Sequence, residues 1–345
     1  MALVKVRVIF VERYAQSYFR ILYDNYPHFG EVNMNRRFII LSMLIALSGC
    51  GSMFDLFGGE DKVKNAQPVP KFTVETFKGM PQTRFLILGD WGAGGKFQRQ
   101  VANAMLEKAK ADKPEFIVSV GDNFYPGGVN STDDKQWKTK FEDMYTGDAL
   151  AIPWYVALGN HDYLLNVDAQ IDYHSINPRW NMPSRYYTFE KNFSGVTVEF
   201  FVLDTDALKN GDPTEQVAWF KKALAGSKAH WKIVIGHHPI RSYGSHGEER
   251  VMVKSIKPLL DQYGVQVFLC GHEHDLQCIK NPADKFTCVV SGGGGGSRNT
   301  SYGDHTLFAA TNGGFCAAII TKDKFHIQWL NRKAEVMFAH TVAHF

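Results

Sequence analysis

Five short apolar runs in this chain each stop at a glycine followed by side chains able to bind a metal, and this repetition narrows the folds open to it. Arg84–Leu88 leads into Gly89-Asp90, and Glu115–Val120 into Gly121-Asp122-Asn123-Phe124-Tyr125. Pro153–Leu158 leads into Gly159-Asn160-His161-Asp162, Trp231–Ile235 into Gly236-His237-His238-Pro239, and Val265–Cys270 into Gly271-His272-Glu273-His274. Apolar runs of this length bounded by glycine predict strands buried on both faces. Open α/β sheets place their ligands at the carboxyl ends of such strands. Helical spacing lies between the runs: Val101, Met105, Leu106 and Ala109 mark a helix over 97–111, and further helices are expected near 134–146 and 249–263. Asp212-Pro213-Thr214-Glu215 predicts another helix start, with a capping residue, proline in the first turn and a capping-box glutamate. Alternation of this kind indicates an α/β protein rather than a helix bundle.

Residues 163–184 form a long aromatic excursion, followed by strands expected at 185–190 and 196–204. After His274 the pattern changes to short strands without intervening helices (275–280, 286–291, 306–312, 314–321 and 324–331). The five glycines Gly292–Gly296 suit either a substrate-facing loop or a flexible connection.

The front of the chain has a different character. Residues 34–50 run from Met34-Asn-Arg-Arg37 through the apolar stretch Phe38–Leu47 to Ser48-Gly49-Cys50. A short basic region, an apolar core too short to span a bilayer comfortably, and small residues at a cleavage site make an export signal. Leu47-Ser48-Gly49-Cys50 also resembles a bacterial lipobox, which implies cleavage before Cys50 and a lipid on its sulfur. We read translation as beginning at Met34, with residues 1–33 an upstream extension that is not native. Residues 51–80 then form a linker, and 81–335 the catalytic domain. Localisation is expected to be the periplasmic face of a bacterial cell envelope as a lipoprotein, or secretion, with membrane contact only through the lipid. The formal charge of +3 is confined to residues 1–49; beyond them acidic and basic residues balance. Bulk charge therefore gives no case for nucleic acid as a partner.

A lone aspartate after a strand is commonly a turn former, and a lone histidine a loop residue. Here two aspartates, a tyrosine, an asparagine and three histidines fall at strand ends together. Carboxylate, amide and phenol oxygens suit hard cations, imidazoles suit Zn, Fe or Mn, and no thiolate is offered. Paired metals can bind both the attacking and leaving oxygens of an in-line displacement.

The five blocks, in order, resemble the calcineurin-like metallophosphoesterases. Tyr125, three residues after Asp122, makes the chain similar specifically to purple acid phosphatases of the small, tartrate-resistant type. The similarity extends through Phe141-Glu-Asp143, Pro153-Trp-Tyr-Val156, Asn166–Gln170 and Arg179–Ser184, and covers roughly residues 84–330. It implies a four-layer α/β/β/α sandwich around two mixed sheets. It further implies Fe(III) on Asp90, Asp122, Tyr125 and His274, with Asp122 bridging to a divalent Fe, Zn or Mn on Asn160, His237 and His272. A metal-bound hydroxide would attack phosphorus, with His161 acting as an acid or phosphate-positioning group beside Asn160, and His246 lying near the leaving group. Expected substrates are small phosphomonoesters, including phosphoprotein or nucleotide, with inorganic phosphate as product and an acidic optimum. His238 departs from the pattern, where tyrosine is usual, and is not expected to ligate. Asp162 and Glu273 are expected to sit behind the ligands or in their turns, orienting neighbouring imidazoles.

Cys278 and Cys288 flank the turn 280–285 and suit a hairpin disulfide in an oxidising compartment. Cys270 and Cys316 are expected to be buried and inert. The nearest rival reading is a phosphodiesterase or nucleotide pyrophosphatase on the same core. A more remote one is a lipid-anchored binding module without turnover, which should have lost a ligand residue; none is missing.

Overall fold

The computed structural model describes residues 77–345. The upstream extension, the signal with its Cys50, and the linker up to residue 76 lie outside the described residues. Among these residues fourteen strands form two sheets of seven. The first contains β1 (Thr83–Leu88), β2 (Phe116–Ser119), β3 (Trp154–Val156), β4 (Trp180–Asn181), β12 (Gly314–Ile320), β13 (Lys324–Asn331) and β14 (Val336–Ala343), in the order β14-β13-β12-β1-β2-β3-β4. The second contains β5 (Tyr187–Phe193), β6 (Val196–Val202), β7 (Trp231–Ile235), β8 (Val267–Cys270), β9 (Leu276–Ile279), β10 (Thr287–Ser291) and β11 (Thr306–Ala310), in the order β11-β9-β10-β8-β7-β6-β5.

Both sheets are mixed. The metal-capable strand ends lie on parallel neighbours: β1, β2 and β3 in one sheet, β7 and β8 in the other. Antiparallel pairing joins the hairpin β5–β6 and the strands the sequence marks as lacking helices between them, β9–β11 and β12–β14. The set β9–β11 extends the second sheet and the set β12–β14 returns to flank β1. The last strand lies beyond residue 335, so the sheet continues past the expected domain boundary.

The second sheet is buried on both faces, as its apolar strands require. Val198, Phe200, Val202, Ile233, Ile235, Val267 and Leu269 face the larger core, shared with the first sheet. The alternate residues Phe201, Val234, Phe268 and Cys270 face a separate core under the helices Thr214–Gly226 and Lys257–Gln262. The helix Lys96–Asp112 puts Val101, Ala102 and Met105 into the larger core. The four-layer α/β/β/α arrangement follows from this two-sided burial.

Some local expectations change. The segment expected as a helix near 134–146 holds only a wide helical turn, Trp137–Glu142. The helix expected from residue 212 begins at Thr214, with Pro213 at the cap position and Asp212 Oδ1 accepting from the Thr214 N–H at 2.9 Å. No box closes, however, because the Glu215 carboxylate accepts from Tyr186 Oη instead. The cysteine expectation fails on register. Cys278 pairs with Val289, and Cys288 with Ile279, so the two side chains point to opposite faces of the sheet. One lies in each core, and all four described cysteines are buried free thiols.

Candidate metal centre

The first sheet delivers oxygen donors to the cleft between the sheet ends. Asp90 follows β1, Asp122 follows β2 and Asn160 follows β3. The turns are tight: Asp90 and Asp122 adopt left-handed backbone conformations (φ 56° and 52°), as does His272 in the second sheet (φ 68°). Strained backbone of this kind persists where surrounding contacts over-determine it, commonly at functional sites. Here backbone N–H groups pin the outer oxygen of each carboxylate. His272 N donates to Asp90 Oδ2 at 3.0 Å, and His161 N donates to Asp122 Oδ1 at 2.9 Å. The inner oxygens, Asp90 Oδ1 and Asp122 Oδ2, are left facing the cleft.

Two groups of donor atoms converge there and share Asp122 Oδ2. In the first, Tyr125 Oη lies 3.1 Å from Asp90 Oδ1, 2.9 Å from Asp122 Oδ2 and 3.0 Å from His274 Nε2. In the second, His237 Nε2 lies 3.4 Å from Asp122 Oδ2, 3.2 Å from Asn160 Oδ1 and 3.2 Å from His272 Nδ1. The ring orientation of His237 is settled by its other nitrogen. Nδ1 faces the Val120 carbonyl at 3.0 Å, which can only accept, so Nδ1 carries the proton and Nε2 turns inward. Thr205 Oγ1 steadies the same turn by accepting from the N–H groups of His237 and His238.

The electrostatics mark a place that demands positive charge. Burial pushes Asp90 well above the usual carboxylate range, against the pull of His237. Asp122 is also buried, yet the charge of His237 beside it holds it well below that range. Burial alone would lower His237, but Asp122 takes it up to about 9. Burial, reinforced by His237, depresses His272, and burial with the Arg298 charge brings His274 down to about 3. The neutral imidazoles of His272 and His274 beside an ionised, buried carboxylate are the donor states a cation needs, and the proton drawn onto His237 by Asp122 marks where positive charge is wanted. Among the described residues, ligand atoms of Asp90, Asp122 and His237 all lie within 4.8 Å of one another. The chemistry of the whole donor set fits two ions.

The surrounding residues divide by task. His161 lies against Tyr125, ring centroids 4.5 Å apart and tilted, and its Nδ1 donates to the Pro126 carbonyl at 2.7 Å, so that Nε2 does not carry that bond. His246 lies over His272 with ring centroids 4.3 Å apart. Glu273 holds it there, accepting from the N–H groups of His246 and Gly247 at 2.8 Å each and facing His246 Nδ1 at 3.2 Å. Glu273 thus orients an imidazole, while Asp162 takes the turn role. The buried Asp162 carboxylate accepts from the backbone N–H groups of Asn123, Phe124 and Gly159, fixing the Asp122–Tyr125 turn against the Asn160 turn. His238 stays outside both groups, with Nδ1 on Thr205 Oγ1 at 2.8 Å.

The run Gly292–Gly296 is not slack. A Cβ on Gly292 would stand 1.9 Å from the Glu273 carbonyl oxygen, and one on Gly295 2.7 Å from that of Asp90. The glycines let this loop press on both ligand-bearing turns. Two residues after it comes Arg298, whose N–H donates to the His274 carbonyl at 2.7 Å. Sequence reasoning passed over Arg298 because a single basic residue after a glycine loop carries no spacing signal.

The calcineurin-like phosphoesterase family model matches residues 83–276, which span all five blocks. The chain belongs to that family. It is 41% identical over 239 residues to mouse tartrate-resistant acid phosphatase type 5, covering 62% of this chain and 73% of that protein. To Arabidopsis purple acid phosphatase 17 it is 32% identical over 244 residues, covering 64% and 71%. Among solved structures, the Plasmodium inner membrane complex anchor GAP50 superposes with a TM-score of 0.73 at 26% identity, covering 77% of this chain and 90% of that one.

Proposed function

We propose that this protein is an acid phosphatase that hydrolyses phosphate monoesters at a binuclear metal centre. The observation that carries the reading is the pair of donor groups sharing one carboxylate oxygen, each drawing on both sheets. The first group, with Asp90, Asp122, Tyr125 and His274, offers three oxygens and one nitrogen, a hard set suited to Fe(III). The second, with Asp122, Asn160, His237 and His272, is softer and suits a divalent Fe, Zn or Mn. When bound, such a pair neutralises charge at phosphorus and acidifies the water that attacks it.

The chain's own residues then bind and orient. Asn160 offers its amide beside the phosphate position. His161, with its Nδ1 proton committed to Pro126, presents Nε2 to a phosphoryl oxygen. His246, held by Glu273, faces the leaving-group side, where a protonated imidazole can donate to the departing oxygen. A positioned donor of that kind contributes on the order of 10²-fold or more to rate.

Export is proposed with this activity: the Met34–Cys50 signal supports a protein carried to the cell envelope and held there by a lipid on Cys50. Among the described residues no helix is long and apolar enough to cross a membrane. N-terminal analysis of the exported protein should begin at Cys50; finding residues 1–33 attached would overturn this part.

A visible spectrum with metal analysis tests the centre. About two metals per chain and a broad purple band, lost in Tyr125→Phe while the second metal stays, support the ligand sets. Metals without the band would remove Tyr125 from the first set. Faster turnover of diesters than of p-nitrophenyl phosphate would favour the phosphodiesterase reading.

A further inference from the structure

The described arginines mostly spend their guanidinium groups on the protein itself. Arg84, Arg99 and Arg179 donate to backbone carbonyls, while Arg185 and Arg241 pair with carboxylates. Arg298 differs. Its backbone is fixed to the turn of His274, through its N–H and the packed glycine run before it. Its side chain reaches His246, where Nη1 lies 3.3 Å from Nε2 and 3.5 Å from Nδ1. Two nearly equal distances place the guanidinium against the ring rather than along one lone pair, and His246 Nδ1 already faces Glu273. Among the described residues no carboxylate lies within ion-pairing distance of Arg298. The guanidinium therefore keeps most of its five donors unspent.

Its position relative to the donor groups is specific. His272 Nδ1 faces His237 inside the cleft, the His246 ring lies over His272, and Arg298 lies against His246. The guanidinium thus lies against His246 and close enough to His274 for its charge to depress that ring, on the side where the proposed mechanism places the leaving group. A planar guanidinium with free donors matches two phosphate oxygens in parallel.

We propose that Arg298 and His246 form a second anion subsite that receives the leaving phosphate of phosphoanhydride substrates, diphosphates above all. This rests on the phosphatase reading of the adjoining centre. The reaction is a hydrolysis. Water's oxygen bonds to the inner phosphorus, the bond from that phosphorus to the bridging oxygen breaks, and the outer phosphate leaves with the electron pair and takes up a proton. Arg298 holds that outer phosphate before and as it departs, so it is a specificity residue for the substrate's second charge.

The test compares the metal-loaded wild type with Arg298→Gln and Arg298→Lys on p-nitrophenyl phosphate and on inorganic pyrophosphate. Calorimetric titrations with methylphosphonate and methylenediphosphonate provide a readout independent of turnover. Losing a charge-assisted contact should raise KM for pyrophosphate by about 10–100-fold in Arg298→Gln. That loss should exceed the loss on the monoester at least tenfold, and lysine should recover part of it. Methylenediphosphonate should bind the wild type more tightly than methylphosphonate, and the advantage should shrink in Arg298→Gln at an unchanged thermal midpoint. Equal losses on both substrates, or no diphosphonate advantage in the wild type, would overturn the subsite while leaving the phosphatase reading intact. A wild type inactive on both substrates would sink the phosphatase reading, and the titrations would still decide the subsite.

Discussion

The two sheets contribute unlike halves to one cleft. The first supplies the oxygens of Asp90, Asp122, Tyr125 and Asn160; the second supplies the imidazoles of His237, His272 and His274. The oxygen half carries the charge and is braced from behind by close packing. Trp91 stacks edgewise on Phe124, Tyr145 and Trp154, its indole N–H donates to Ser119 Oγ at 2.9 Å, and Asp162 ties the turns together. The nitrogen half carries the neutral rings of His272 and His274 beside His237, which Asp122 holds protonated, and is braced by polar contacts: the Val120 carbonyl, Thr205, Glu273, and the Arg241–Asp284 pair at the root of the His246 loop. The difference teaches that the shared carboxylate of Asp122 rests on a close-packed aromatic framework, while the imidazoles facing it are aimed by hydrogen bonds.

The largest expected effect falls on the shared oxygen. Asp122→Asn keeps the volume but removes the bridging charge, so turnover of a phosphomonoester should fall on the order of 10³-fold or more, with both metals weakened. Two metals per chain retained in that variant would break the distinction between the halves. His272→Asn takes one donor from the second group only. Metal analysis should then find about one ion per chain, with a smaller loss on the order of 10²-fold.

Next comes stability of the nitrogen half. Asp284 is buried, but Arg241 and Lys257 hold its carboxyl below the usual range. Asp284→Asn should cost about 2 kcal/mol, less than a fully buried pair, because both cations keep some water contact. A carboxyl with a depressed folded pKa stabilises above its unfolded value of about 3.9 and loses that contribution as pH falls below it. Denaturation curves of the two proteins should therefore converge in acid; a gap that persisted below that pH would show packing, not charge, to be responsible. The smallest effect is expected at Glu273→Gln. Loosened placement of His246 should lower kcat about tenfold with metal content unchanged, whereas lost metal would move Glu273 into the support of the ligands themselves.

Much of this site could be read in the sequence because strand ends are local. An apolar run, a glycine and a ligand-capable residue occupy a few positions, and five such blocks in order named the donors that the fold gathers. Asp162, Arg298 and the thiols were another matter. Asp162 joins its own turn to the N–H groups of Asn123 and Phe124, 39 and 38 positions away, which leave no mark in composition. Cys278 and Cys288 have disulfide-like spacing, but a single step of register puts them in different cores. The five glycines were equally compatible with slackness and close contact until their neighbours were in place.

By itself, then, the chain determined the strands, their alternation with helices, the kind of chemistry at their ends and the strand-rich finish, because these depend on residues near one another. Only the tertiary structure decided that oxygens come from one sheet and imidazoles from the other. It alone returned β12–β14 to flank β1, and brought the guanidinium of Arg298 against His246, 52 residues away. Those outcomes depend on register and on the meeting of two sheets, which hydrophobic pattern constrains on each strand separately but never between them.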